Sequence, residues 1–155
     1  MKYYEKVLRP DEKLVFFCTI HPIVYWPAVV FLLLALVALA LIPILGLTDV
    51  QTQIALYSAL ALAVLALFAF ISGWLKRVGT EVAVTDRRVI YKRGFINRRT
   101  VEMNMDKIES VDVEQHLFAR LLNYGDITIH GTGEGKEPIR EVDHPLEFRG
   151  HVTAA

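Results

Sequence analysis

Between Lys13 and Lys76 the chain carries one formally charged residue, Asp49, and a long apolar run lies on either side of it. The runs cover residues 26–47 and 54–75, 22 residues each. At about 1.5 Å of rise per residue, each helix spans the roughly 30 Å hydrocarbon core of a bilayer. Burying two such helices inside a soluble fold would take far more protein than 155 residues supply. The runs therefore read as two transmembrane helices, and residues 48–52 as the hairpin turn between them. This divides the chain into an N-terminal segment (1–21), a membrane hairpin (22–75) and a C-terminal domain (76–155).

The flanking charges orient the hairpin. Lys2, Lys6, Arg9 and Lys13 precede the first span, Lys76 and Arg77 follow the second, and the tip has no Lys or Arg. The positive-inside rule places both termini in the cytoplasm. Tyr25, Trp26 and Trp74 stand where aromatic anchors meet the cytoplasmic interface. Ala38-Leu39-Ala40 mimics a signal-peptide cleavage site, but the apolar run starts more than twenty residues in and continues past it, so the span reads as retained. Pro43 should kink the end of the first span. Ala55, Ala59 and Ala63 recur every four residues and offer a small face for close packing of the two helices. Neither span contains an ionisable residue, which argues against a proton relay or ion pathway.

After Lys76 the pattern changes to short β-branched runs separated by turn signals. Strands are expected at 81–84, 88–92, 95–103 with an interruption at Asn97, 108–114, 126–130 and 138–142. A hairpin turn is expected at Arg93-Gly94, a short helix at 115–122 and a turn at 131–136. Asp143 is placed to cap a last helix with Pro145 in its first turn. Ile90, Ile108, Val111, Leu117 and Leu121 are expected in the core, Asp86 to hold its own turn through an Asx hydrogen bond, and Arg120 to pair with Glu114 or Asp126. Residues 14–20 are apolar and β-prone enough to add a strand. The lone Cys18 within them excludes an internal disulfide or a cysteine-cluster zinc site and reads as a buried, inert thiol.

These residues resemble a known family. Val84-Thr-Asp-Arg-Arg-Val-Ile-Tyr-Lys-Arg-Gly-Phe95, Met105-Asp-Lys-Ile-Glu-Ser-Val111 and Leu117-Phe-Ala-Arg-Leu-Leu-Asn-Tyr-Gly-Asp126 match, in order, signatures of bacterial pleckstrin-homology-like domains of the second type, the YdbS/YdbT-like membrane proteins. Leu8-Arg-Pro-Asp-Glu12 and His21-Pro22 resemble the segment before that family's helical hairpin. The motif residues are Thr85, Asp86, Arg88, Gly94, Ile108, Val111, Arg120, Gly125 and Asp126. The resemblance implies a two-helix transmembrane hairpin followed by a small α+β domain, a PH-like bent antiparallel sheet forming a partly open barrel closed by a C-terminal helix. It also implies residence in the bacterial inner membrane.

Charge is segregated along the chain. Residues 76–100 hold eight Lys/Arg and two Asp/Glu, a net of +6, and residues 101–155 hold five and eleven, a net of −6. Lys76, Arg77, Arg87, Arg88, Lys92, Arg93, Arg98 and Arg99 are thus the candidate surface for anionic lipid or a partner, with the acidic half facing away. The sequence has no nucleophile elbow and no H-E-x-x-H. His21, His116, His130, His144 and His151 share no metal-ligand spacing, and Lys136 is followed by Glu137 where a phosphate loop needs Ser or Thr. The expectation is a non-enzymatic, cofactor-free membrane module without a small-molecule substrate or nucleic acid. It would serve as an accessory or scaffold for a protein partner, with anionic-headgroup binding or self-association as alternatives.

Overall fold

A computed structural model describes residues 7–95, 97–132 and 136–153, excepting the Lys136 side chain. The chain forms two compact units: a helical hairpin, Pro22–Trp74, and a sheet unit built from Met1–His21 with Leu75–Ala155.

The hairpin consists of a 3-10 turn at Pro22–Tyr25, helix α1 (Trp26–Leu45) and helix α2 (Asp49–Gly79). Both are long and apolar enough to cross a membrane. Pro43 lies inside α1, which continues to Leu45 and stops at Gly46, whose φ of 57° suits glycine and closes the helix. The second helix starts five residues before the apolar run. Gln51 Oε1 accepts the Thr48 backbone N–H at 3.1 Å, the reach-back half of a capping box, and Asp49 favours the N-terminal dipole. The connection is thereby shorter than the expected 48–52. The buried alanines are Ala28 and Ala35 on α1 and Ala59 and Ala66 on α2, a spacing of seven on each helix rather than the four of Ala55, Ala59 and Ala63. Tyr25 stacks on Phe70 with ring centres 5.2 Å apart, and a Cβ at Gly73 would meet the Tyr25 ring at 3.2 Å. Trp26 and Trp74 are exposed on the hairpin.

The sheet unit contains β1 (Leu14–Thr19), β2 (Glu81–Thr85), β3 (Arg88–Arg93), β4 (Arg99–Asn104), β5 (Ile108–Glu114), α3 (Leu117–Leu121), β6 (Tyr124–Gly131), β7 (Lys136–Asp143) and α4 (Pro145–Thr153). Strands β1-β2-β3-β4 form one antiparallel sheet and β5-β6-β7 another. Residues 14–19 do add a strand: Phe16 pairs with Val84 and Cys18 with Val82, so the helical hairpin is an insertion between two neighbouring strands of one sheet. The core gathers Val82, Val84, Val89, Ile127, Ile129, Ile139 and Val142 from both sheets, and Phe148 of α4 reaches it. Cys18 is buried there, and burial, with a lesser effect of the Asp143 charge, pushes its thiol up to about 12.

Several expectations need correction. The third strand of the hairpin starts at Arg99; Phe95 lies exposed in the preceding turn, and Ile96 falls outside the described residues. Gly94 takes φ 96°, and any Cβ there would collide with the Asn97 carbonyl oxygen. Much of the expected 131–136 turn, residues 133–135, lies outside the described residues. The last helix begins at Pro145, which puts His144 rather than Asp143 at its cap position. Ile90, Ile108 and Val111 take core or core-edge places, but Leu117 and Leu121 are each 82% exposed. Helix α3 is too short to bury two faces, and Ala119 is the residue it turns inward.

Candidate functional site

The Thr85-Asp-Arg-Arg88 turn joins β2 to β3, and the segment before β1 is fastened onto it. Arg88 donates from Nε to Glu12 Oε1 at 2.9 Å and from Nη2 to Glu12 Oε2 at 2.7 Å, a two-pronged contact. Its Nη1 reaches Glu102 Oε2 at 2.6 Å and its Nη2 also meets the Val7 carbonyl at 3.1 Å. The Thr85 hydroxyl lies 2.7 Å from Glu12 Oε1 and accepts the Arg88 N–H at 3.0 Å. Thr85 therefore organises the turn expected of Asp86. The Asp86 carboxylate instead accepts the Lys13 N–H at 3.0 Å, while its own N–H donates to the Lys13 carbonyl at 3.1 Å. The Glu12 side chain is 1% exposed. Hydrogen bonds from Arg88 overcome the opposing effect of burial, Thr85 and the Arg9 N–H add to them, and the carboxyl is held down to about 2. Glu12 in turn raises the pKa of Arg88.

A second fastening lies on β7. Glu141 adopts φ 57°, an uncommon conformation for a side-chain-bearing residue, where the β6–β7 register shifts. Asp126 Oδ1 accepts the Glu141 N–H at 2.8 Å, so Asp126 supports this bulge and does not pair with Arg120. The Glu141 carbonyl accepts the His21 N–H at 2.7 Å, and its carboxylate takes Lys76 Nζ at 2.6 Å. His21 precedes the first apolar helix and Lys76 follows the second apolar run, so one residue holds both chain junctions. Gly125 is required by close approach: a Cβ there would lie 2.8 Å from the Glu114 carbonyl oxygen and 2.7 Å from Gln115 Cγ.

These fastenings consume much of the expected basic surface. Lys76 pairs with Glu141, Arg87 with Asp11, Arg88 with Glu12 and Glu102, Lys92 with Glu81, and Arg99 with Glu137. Arg88 is buried and cannot face lipid. Arg77, Arg93 and Arg98 form no ion pair among the described residues. The acidic half does not face away, because Glu102, Glu137 and Glu141 meet basic residues across the domain. Charges segregated along the chain are mixed in the fold.

Helix α3 has the opposite character. Leu117 and Leu121 are each 82% exposed, Phe118 is 77% exposed and Leu122 47%. Arg120 is exposed beside them and pairs with no acid among the described residues. The His144 N–H donates to the Asn123 carbonyl at 3.0 Å, bringing the start of α4 to the end of α3. Tyr124 stacks on His21 with ring centres 5.1 Å apart, so α3 ends close to the residue before the first apolar helix. Among the described residues, no three His, Cys, Asp or Glu side chains gather as a metal site.

The bacterial PH domain profile matches residues 15–155. No curated protein and no solved structure matches the chain.

Proposed function

The chain belongs to the bacterial PH domain family, and from that premise we propose that it is a non-catalytic accessory module, anchored in the inner membrane with both termini in the cytoplasm, which binds a protein partner at the membrane face through α3. The observation that carries this reading is the exposure of Leu117, Phe118 and Leu121 on a folded domain. Three neighbouring large apolar side chains left in water mark an interaction surface. Of the signature residues, Thr85, Asp86, Arg88, Gly94, Gly125 and Asp126 have a use inside the fold, whereas Arg120 and the exposed leucines around it have none among the described residues. The stacking of Tyr124 on His21 suits a partner that is itself held in or on the membrane, where anchoring of both proteins raises their effective concentration. A second copy of the chain would satisfy the same chemistry.

The test is a photo-crosslinking residue placed at Leu117 or Leu121 of the full-length protein in native membranes. The reading expects an adduct heavier by the mass of a protein, lost when Phe118→Asp is added. The nearness of Tyr124 to His21 favours a second reading, in which α3 lies in the headgroup layer. Adducts to lipid alone would establish that second reading and overturn the first.

A further inference from the structure

Where the chain leaves α2, a cavity of about 340 Å³ opens in the sheet unit, within the size range of small-ligand sites. Its walls include Lys76 and Thr80 from the end of α2 and the step into β2, Tyr91 and Arg93 from β3, Arg140 from β7, and Ile20 beyond β1. Three of these residues are cations, and none of the described residues lining the cavity is acidic. Glu141 holds Lys76, which fixes the ammonium at the wall. Arg93 and Arg140 are exposed and make no ion pair among the described residues. Thr80 and Tyr91, two buried hydroxyl-bearing residues, belong to the same lining. Burial keeps the phenol of Tyr91 protonated and able to donate.

Three positive side chains and hydroxyl donors around one concave space match a tetrahedral oxyanion. Position along the chain selects its source. Ile20 comes two residues before the 3-10 turn that opens the hairpin, and Lys76 directly follows the second apolar run. The chain segments that lead into and out of the two apolar helices thus both contribute to the lining, which favours the phosphodiesters of a bilayer leaflet as the source. We propose that this cavity is a binding site for the phosphate of an anionic phospholipid headgroup, held by Lys76, Arg93 and Arg140. The site goes beyond the α3 surface and shares no residue with it. It also differs from the linear basic segment, since it excludes Arg98 and Arg99 and includes Arg140 from the acidic half.

The test uses the full-length protein in neutral detergent with phosphatidylglycerol or phosphatidylcholine added, bound lipid being counted by native mass spectrometry. Lys76 is left unchanged because it also holds Glu141. Phosphatidylglycerol should be retained by the wild type and by Arg98→Ala, in preference to phosphatidylcholine. Arg140→Ala and Arg93→Ala should each weaken retention about fivefold, and the double variant should retain little. Millimolar inorganic phosphate should not displace the lipid. Equal retention by Arg98→Ala and the double variant would reduce the effect to general charge and overturn the proposal. Free phosphate that binds without lipid and displaces it would overturn the lipid source and make the cavity a soluble-phosphate site. Circular dichroism of the double variant guards against misfolding; if it is unfolded, Arg140→Gln, at an exposed position, decides in its place.

Discussion

The Thr85–Arg88 turn and the Leu117–Leu121 helix are both stretches of family signature, and the fold uses them in opposite ways. The turn is charged, yet buries its key arginine against Glu12. The helix is apolar, yet leaves its leucines in solvent. Charge does not decide exposure when a partner of opposite sign is built into the same fold. Apolarity does not decide burial when a helix of five residues has only one small residue turned inward. The useful question for a signature residue is whether the domain itself satisfies it. The Arg88 side chain has four hydrogen bonds to its own chain, and Leu117 is 82% exposed.

The largest expected effect comes from breaking the buried pair. Arg88→Ala leaves Glu12 without its main partner, and loss of one member of a buried ion pair costs about 3–5 kcal/mol. Denaturant unfolding of the full-length protein in detergent should show that loss. Glu12→Leu combined with Arg88→Met should recover much of it, because Glu102 is exposed enough to return to solvent. A fragment starting at residue 76 lacks both β1 and Glu12 and should fail to give a cooperative transition.

Acid titration probes the same latch without mutation. The carboxyl of Glu12 is lowered from 4.5 to about 2 in the fold. Its contribution is therefore fully present above pH 4.5 and is lost progressively as the pH falls from there toward 2. The amount at stake is roughly 3 kcal/mol. A Glu12→Gln variant should flatten this part of the stability profile; an unchanged acid limb would remove Glu12 from the account.

Smaller effects separate close approach from open surface. Gly125→Ala forces a Cβ against the Glu114 carbonyl oxygen and should cost about 1–3 kcal/mol, readable as a lowered unfolding midpoint. Leu117→Asp with Leu121→Asp should change stability by less than about 0.5 kcal/mol while abolishing the crosslink made by a photo-crosslinking residue at the exposed Phe118 position.

Much of the architecture was legible from sequence because it rests on periodicity. The two long apolar helices, the β2–β3 hairpin and the strand at 108–114 follow directly from apolar run length and alternation. The latch was not legible, although both halves were in view. Leu8-Arg-Pro-Asp-Glu12 and Thr85-Asp-Arg-Arg88 are separated by the whole helical hairpin, and local patterns carry no information on which distant charges will pair. Glu141 was missed because its role depends on a positive φ within a strand. The start of α2 left a readable signal in Thr48-x-x-Gln51, which the long apolar run overshadowed. At α3 the helical spacing was right and the inference of burial was wrong, because spacing shows that residues share a face without showing what covers it.

Thermal unfolding of the full-length wild type beside Arg88→Ala and Leu117→Asp/Leu121→Asp tests the contrast most directly. A loss of several kcal/mol in a domain of this size corresponds to a drop of more than about 10 °C for Arg88→Ala, and the double leucine variant should stay within about 3 °C of wild type. A double leucine variant that melts as low as Arg88→Ala would show that α3 belongs to the core and contradict its assignment as the interaction surface.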